Sequence, residues 1–184
     1  MSDERLCVAT FGEEIGWVTK AGIEACVYDA IGTRAGLIPV PNEAREASQY
    51  LRHIVDHYGD FREYEIFLQG DPHAHHPSFE TLLRNRPWRG QRCFPISRRV
   101  LPFAEGVAAH REAALVLAGD SGLTVGEDAV WVAGAMFAAS REALMSYPLG
   151  WWERLLGRVI VEREISPWAM ERLWLEILSP DHQR

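Results

Sequence analysis

Residues 64–77, YEIFLQGDPHAHHP, carry the clearest fold signal in this chain. Their first half is an apolar run of strand length that stops at Gly70, and it predicts a buried strand over 64–68. Their second half turns abruptly polar, with one aspartate and three histidines in six residues. A buried strand that leads directly into such a loop is typical of α/β proteins, in which ligands bind at the carboxyl ends of strands.

Similar apolar runs predict the rest of the sheet. The runs at 6–11 and 25–28 indicate two earlier strands, each followed by polar or glycine residues. The uninterrupted run 129–137 predicts one central strand with a kink at Gly134. The sequence therefore predicts several short strands that are distributed along most of the chain.

Helix patterns separate these strands. Asn42 is typical of a helix N-cap, and apolar residues then recur at the helix period as far as Tyr58. Ser140 and Ser166, the second followed by proline, predict the N-caps of two later helices. The alternation predicts a single α/β domain over residues 1–184, with a mostly parallel central sheet flanked by helices.

Composition limits the class of protein. The chain of 184 residues has 19 basic and 26 acidic side chains, so its formal net charge is −7, which argues against a general nucleic-acid binder. The first residues are polar and acidic, unlike a signal peptide, and no apolar run reaches the ~18 residues that a membrane span needs. Cys7, Cys26 and Cys93 lack zinc-ribbon spacing, so free thiols are expected. We expect a cytoplasmic protein without a membrane span.

The polar loop after the predicted strand 64–68 is the first candidate site. Asp71, His73, His75 and His76 combine a carboxylate with imidazoles, a set that suits Mn, Fe, Zn or Ni better than Mg or Ca. One interpretation is a metal-dependent hydrolase in which the bound metal generates hydroxide. The alternative is a solvated polar loop without a ligand.

A second candidate is a pair of histidines on the predicted helix 44–58. His53 and His57 share one face, and Glu46 lies seven residues before His53 on the same stripe. Ile54 stands where a zincin has its general-base glutamate, so a surface or half-buried pair is the favoured interpretation.

A third feature is a basic stretch. Six arginines lie between residues 82 and 104, and no acid occurs between Glu80 and Glu105. They indicate either a solvated loop or contacts with an anionic ligand such as a diphosphate, because arginine binds phosphate oxygens with two hydrogen bonds.

Five sequence blocks together resemble a known family. They are PNEARE at 41–46, YLRHI at 50–54, FLQGDP at 67–72, GAMFAASRE at 134–142 and ERLW at 171–174. In this order they resemble a family of uncharacterised bacterial and fungal proteins related to the A-type (nucleotide-diphospho-sugar) glycosyltransferases, over about residues 6–178. The chain departs from this family at Ala44, where the family commonly has glycine.

The resemblance implies a compact A-type glycosyltransferase fold that binds a nucleotide-sugar donor. The donor contacts that it implies are Thr10, Asp29, Arg45 and Gln69. The block 134–140 would line the side of the unknown acceptor.

The resemblance also implies a divalent metal, Mn or Mg, on the donor diphosphate. The Asp-x-Asp motif of such transferases corresponds here to Gln69-Gly70-Asp71, so one acid is replaced by a neutral amide. Metal binding would then depend on Asp71 together with His73 or His75, or the protein would act without a metal ion.

Catalytic residues complete the hypothesis. Glu171 is the expected general base that deprotonates the acceptor hydroxyl, and Asp128 is the second choice. The leading hypothesis is thus a glycosyltransferase-like enzyme that transfers a sugar from a nucleotide-diphospho-sugar. The alternatives are the metal-dependent hydrolase on Asp71, His73, His75 and His76, and a degenerate binding module without catalysis.

Overall fold

The computed structural model describes residues 3–179 and places a six-stranded sheet at the centre of the protein. The strands are β1 (Glu4–Thr10), β2 (Glu24–Asp29), β3 (Ile38–Pro39), β4 (Tyr64–Gln69), β5 (Cys93–Pro95), β6 (Val100–Pro102), β7 (Val130–Val132) and β8 (Phe137–Ser140). The helices are α1 (Gly16–Ala21), α2 (Arg45–Asp56), α3 (Phe79–Asn85), α4 (Ala108–Asp120), α5 (Arg141–Leu144), α6 (Leu149–Val161) and α7 (Ser166–Leu178). The main sheet has the order β3-β2-β1-β4-β8-β5, and β6 pairs with β7 in a separate sheet.

The main sheet is mixed, which corrects the prediction of a mostly parallel sheet. Strands β1 to β4 pair in parallel, whereas β8 runs antiparallel to both β4 and β5. Strand β8 enters the main sheet from β7 through the short link 133–136 and runs beside β4 in the opposite direction. An apolar run looks the same in both directions, so the sequence pattern predicted the strand and not its orientation.

The order of the strands creates a switch point beside β1. From β1 the chain moves to β2 and β3 on one side, and then returns to β4 on the other side. The carboxyl ends of β1 and β4 therefore border a crevice of the kind in which α/β proteins bind ligands.

Strand β1 is buried on both faces, which explains its continuous apolar run. Cys7 and Ala9 pack in a core with residues of α2, α4, α6 and α7. Leu6 and Val8 pack in a second core with residues of α1 and α3. The sheet is thus covered by helices on both faces.

The run 129–137 forms two strands and not one, which corrects that prediction. Gly134 has φ 93° and Ala135 has φ 46°, so the backbone leaves extended geometry between β7 and β8. Strand β7 joins β6 in the small sheet, and β8 joins β4 in the main sheet. The predicted kink at Gly134 is therefore the point at which the chain changes sheets.

Two of the three predicted helix caps are displaced. Ser140 accepts a hydrogen bond from the Ala143 amide at 3.1 Å, so this N-cap is confirmed. Helix α2 begins at Arg45 and not directly after Asn42, while Ser166 is itself helical and donates to the Val159 carbonyl. Within residues 3–179, no helix has the length and apolar character to cross a membrane.

Candidate functional site

A cleft of about 940 Å³ opens at the switch point, beside the last residues of β1 and β4. It also receives the first turn of α2, the link 133–136 and the first half of α7. Its lining comprises Phe11, Glu13, Asn42, Arg45, Glu46, Gln69, Ala74, His75, Arg99, Trp131, Ala133, Gly134, Trp168 and Glu171. We call this region the cleft.

Gly134 is the centre of the hydrogen-bond network in the cleft. The Gln69 side-chain amide donates to the Gly134 carbonyl at 3.0 Å, and the Gly134 amide donates to the Glu171 carboxylate. His75 Nε2 donates a hydrogen bond to Gln69 Oε1 at 3.0 Å. Three residues that the sequence predicted for the site, Gln69, His75 and Glu171, therefore meet around one glycine.

The absence of a side chain at Gly134 is a requirement of this packing. A Cβ there would lie 2.4 Å from Nδ1 of His75, well inside van der Waals contact, and the backbone φ of 93° also disfavours any other residue. Burial lowers the pKa of His75, although Asp71 acts in the opposite direction. Burial thus favours the neutral form of the His75 imidazole, which packs against the Gly134 backbone.

Two carboxylates with raised pKa values lie in the cleft. Burial raises the pKa of Glu46 to about 7, and the nearby Glu171 carboxylate adds to this effect. Burial also raises the pKa of Glu171, although the Gly134 amide and the Arg172 and Arg45 cations oppose it. Carboxyl groups whose pKa is raised towards neutrality are suited to accept or donate protons.

The backbone around the cleft holds unfavourable conformations. Ala44 has φ 145°, Arg45 has φ 51° and Ala135 has φ 46°; these are three of the four non-glycine residues with positive φ in residues 3–179. Each such residue costs on the order of 1–3 kcal/mol, and strain of this kind clusters at functional sites. Positive φ at Ala44 also explains why glycine suits this position.

Aromatic rings and cations form the outer wall of the cleft. The Arg45 guanidinium lies 4.7 Å from the centre of the Trp168 ring, and the His110 ring stacks on Trp168 at 4.9 Å. Arg172 lies 4.4 Å from the ring centre of Trp131. Of the six arginines in the basic stretch, Arg99 lines the cleft. This wall combines flat apolar faces with positive charge.

Thr10 and Asp29 lie at the predicted edge of the sheet, but neither is open to solvent. Both are fully buried, and Arg34 donates to Thr10 Oγ1 at 2.8 Å and to Asp29 at 2.9 Å. Glu13 accepts a hydrogen bond from the Thr10 hydroxyl at 2.8 Å. These predicted donor contacts therefore belong to an internal network that supports the cleft from behind.

The predicted metal ligands are not brought together. Asp71 and His73 are exposed and do not line the cleft, and His73 Nε2 lies 3.8 Å from a carboxylate oxygen of Glu80. His75 faces Gln69 and Gly134, as described above. Within residues 3–179, the histidine, cysteine and carboxylate ligand atoms that converge in threes belong to Cys26, His53 and His57.

Asp128, the second predicted base, is exposed in the turn before β7 and does not line the cleft. Glu46, by contrast, lines the cleft and had not been assigned to the site from the sequence. The sequence did contain a sign of this, because Glu46 lies on the apolar face of an amphipathic helix, where an acidic residue is unusual. Trp131 and Trp168 also line the cleft.

Comparison with known protein families gives a match to the first part of the chain. A family model described as "Protein of unknown function (DUF3431)" matches residues 6–86, from β1 to the end of α3. Arg45, Glu46, Gln69 and His75 lie inside the matched segment, whereas Gly134 and Glu171 lie beyond it. No curated protein and no solved structure matches the chain.

Proposed function

We propose that the cleft binds a nucleotide-diphospho-sugar and transfers its sugar to the hydroxyl group of an acceptor. The observation that carries this proposal is the pair Glu46 and Glu171, two largely buried carboxylates with raised pKa values in a cleft at the switch point of the sheet. The resemblance to relatives of A-type glycosyltransferases supports the same class of substrate.

The outer wall of the cleft supports an anionic, ring-containing ligand. Arg45 and Arg99 offer guanidinium groups for the two phosphates of a donor. Trp168 and Trp131 add aromatic surface to this wall, against which a sugar or base can pack. The acidic end of the cleft then remains for the acceptor hydroxyl.

In the proposed reaction, Glu171 takes the proton of the acceptor hydroxyl while the acceptor oxygen attacks the anomeric carbon of the sugar. The bond between that carbon and the diphosphate oxygen breaks, and Arg45 and Arg99 stabilise the charge on the leaving diphosphate. The Gly134 amide holds the Glu171 carboxylate in place for this step.

A divalent Mn or Mg ion, which the resemblance implies, does not fit the side chains beside Asp71. Gln69 uses both atoms of its side-chain amide, on Gly134 and His75, and His73 faces Glu80. The proposed transfer therefore uses no metal and depends on the arginines for charge stabilisation.

The test begins with binding. A panel of nucleotide sugars is added to the full chain with Mn²⁺ and with EDTA, and the melting temperature is measured. A true donor at 100 times its dissociation constant should raise Tm by about 5–10 °C, with EDTA as well as with Mn²⁺. If no nucleotide sugar raises Tm, the proposal fails.

Turnover then separates catalysis from binding. Glu171→Gln should keep donor binding and reduce turnover ~10²-fold or more, because the amide is not a base. Asp128→Asn is the matched control, since Asp128 is an exposed acid outside the cleft, and it should retain wild-type turnover. Wild-type turnover in Glu171→Gln would exclude the assigned base, and donor binding without any turnover would indicate a binding module.

A further inference from the structure

A second cluster of chemically active side chains lies at the other end of α2. Cys26 in β2 faces His53 and His57, which lie at the end of α2 and just after it. The sulfur and one ring nitrogen of each histidine all lie within 4.8 Å of one another. None of the three residues lines the cleft.

The distance between the Cys26 sulfur and the nearest His57 ring nitrogen matches the spacing of two ligands on one metal ion. Cys26 Sγ lies 3.6 Å from His57 Nε2. In a tetrahedral zinc site, with Zn–S of ~2.3 Å and Zn–N of ~2.05 Å, a sulfur and a nitrogen ligand lie about 3.6 Å apart. A metal ion can thus bind between these atoms without displacing them.

The histidines are also oriented as metal ligands. His57 Nδ1 donates to the His53 carbonyl at 3.0 Å, so Nε2 presents its lone pair to Cys26. His53 Nε2 donates to the buried Glu65 carboxylate at 2.9 Å, so Nδ1 presents a lone pair, which now accepts from the Tyr28 hydroxyl at 3.1 Å. A carbonyl or carboxylate behind each ring is the usual support of metal-binding histidines.

We propose that Cys26, His53 and His57 bind a transition-metal ion of the zinc class. One thiolate and two imidazoles suit Zn²⁺, and they do not suit the oxygen-seeking Mg²⁺ or Ca²⁺. On binding, the Cys26 thiol releases its proton to solvent, and the metal replaces the S–H contact with His57. The Tyr28 hydroxyl gives up its contact with His53 Nδ1.

The cluster also has a path to solvent. Cys26 and His57 are only half-buried, while His53 is buried beneath them. Three protein ligands leave a fourth position of a tetrahedral ion for water. The bound ion would connect β2 to the end of α2 and thereby stabilise the folded state.

The experiment titrates the metal-free full chain with Co²⁺, which replaces Zn²⁺ and reports a bound thiolate through a sulfur-to-metal charge-transfer band. The expected result is that band at one ion per chain, its displacement by Zn²⁺, and a Tm that rises about 5–10 °C at 100 times the Zn²⁺ dissociation constant. Absence of the band, or saturation without a Tm shift, would overturn the proposal.

Variants locate the site. Cys26→Ser should abolish the band because it removes the sulfur, and His57→Gln should weaken Co²⁺ binding at least ~10-fold because it removes one ligand. Cys93→Ser and His73→Gln are the matched controls, a half-buried thiol and an exposed histidine elsewhere, and they should bind as the wild type does. An unchanged band in Cys26→Ser would refute the assignment.

A second measurement uses the unmodified chain, in case a variant does not fold. Zn²⁺ should slow the alkylation of Cys26 by iodoacetamide, as located by mass spectrometry, and should leave the alkylation rate of Cys93 unchanged. Equal rates at Cys26 with and without Zn²⁺ would contradict thiolate binding.

Discussion

Helix α2 and strand β4 pack against each other with a buried glutamate at each end of the contact, and the two ends behave differently. Tyr50 and Phe67 form the apolar middle, with ring centres 5.3 Å apart. At one end, Glu65 of β4 lies 2.9 Å from His53. At the other end, Glu46 of α2 lines the cleft with Gln69.

The difference lies in the partners of the two carboxylates. Glu65 is fully buried, accepts from the Arg62 amide at 2.8 Å and from His53, and lies 3.6 Å from Nε of the buried Arg5. Glu46 is almost as buried, but the Glu171 carboxylate is its neighbour and its pKa is about 7. Of two buried carboxylates, the one at the paired end is thus held by cations and donors, and the one at the cleft end has a pKa raised by burial and, to a smaller extent, by Glu171.

The largest effect is expected from Glu65→Gln. The change removes one partner of a buried charge pair and places an NH₂ group against donors from Arg5, Arg62 and His53, so it should destabilise the protein by about 3–5 kcal/mol. Urea unfolding at pH 7 measures the free energy of unfolding.

Glu24→Gln is the matched control for this variant. Glu24 also pairs with Arg5, at 3.5 Å, but its side chain is 42% exposed. Its loss should cost no more than about 1 kcal/mol. Equal losses of unfolding free energy in the two variants would contradict a special structural role of the buried Glu65 carboxylate.

An effect of opposite sign is expected from Glu46→Gln. The folded state holds the pKa of Glu46 at about 7, above its ordinary value of 4.5. The contribution of protonated Glu46 to the free energy of unfolding is therefore fully present below pH 4.5, and it is lost as the pH rises through about 7. The glutamine does not ionise and avoids this loss. Above pH 7 the variant should be more stable than the wild type by about 2–3 kcal/mol, and near pH 4 the two should match.

Urea unfolding at pH 4 and pH 8 checks this prediction in one pair of curves. A variant that is less stable than the wild type at pH 8 would show that Glu46 has a stabilising partner, as Glu65 does. The distinction between the two ends of the α2–β4 contact would then disappear.

The smallest effect is expected from Ala44→Gly, which sharpens the comparison by removing strain from the cleft end. Glycine adopts φ 145° at little cost, so the variant should gain about 1 kcal/mol. The matched control is Ala47→Gly inside α2, where glycine should cost about 1 kcal/mol. Thermal unfolding of both variants should therefore show shifts of opposite sign, and a lowered Tm for Ala44→Gly would contradict the strain.

Particular residues show how far the sequence reaches. The apolar runs of β1, β2 and β4 are sufficient to predict those strands, and Gln69, His75 and Glu171 follow from their places after strands or in the resembling blocks. The split of 129–137 could not be predicted, because its residues are apolar in both sheets and only Gly134 marks the change. Thr10 and Asp29 occupy the predicted edge, but their pairing with Arg34 is a tertiary contact that no local pattern reveals.

The hydrogen bond from the Gly134 amide to Glu171 gives the cleft its own spectroscopic probe. An amide proton that points at a carboxylate changes its NMR frequency when that carboxylate gains or loses a proton, because the bond to the ionised form is the stronger one. We therefore expect the Gly134 resonance to titrate with Glu171, and to move again on addition of a ligand that enters the cleft. A single backbone signal thus follows both the protonation and the occupancy of the site in solution, without any label in the ligand.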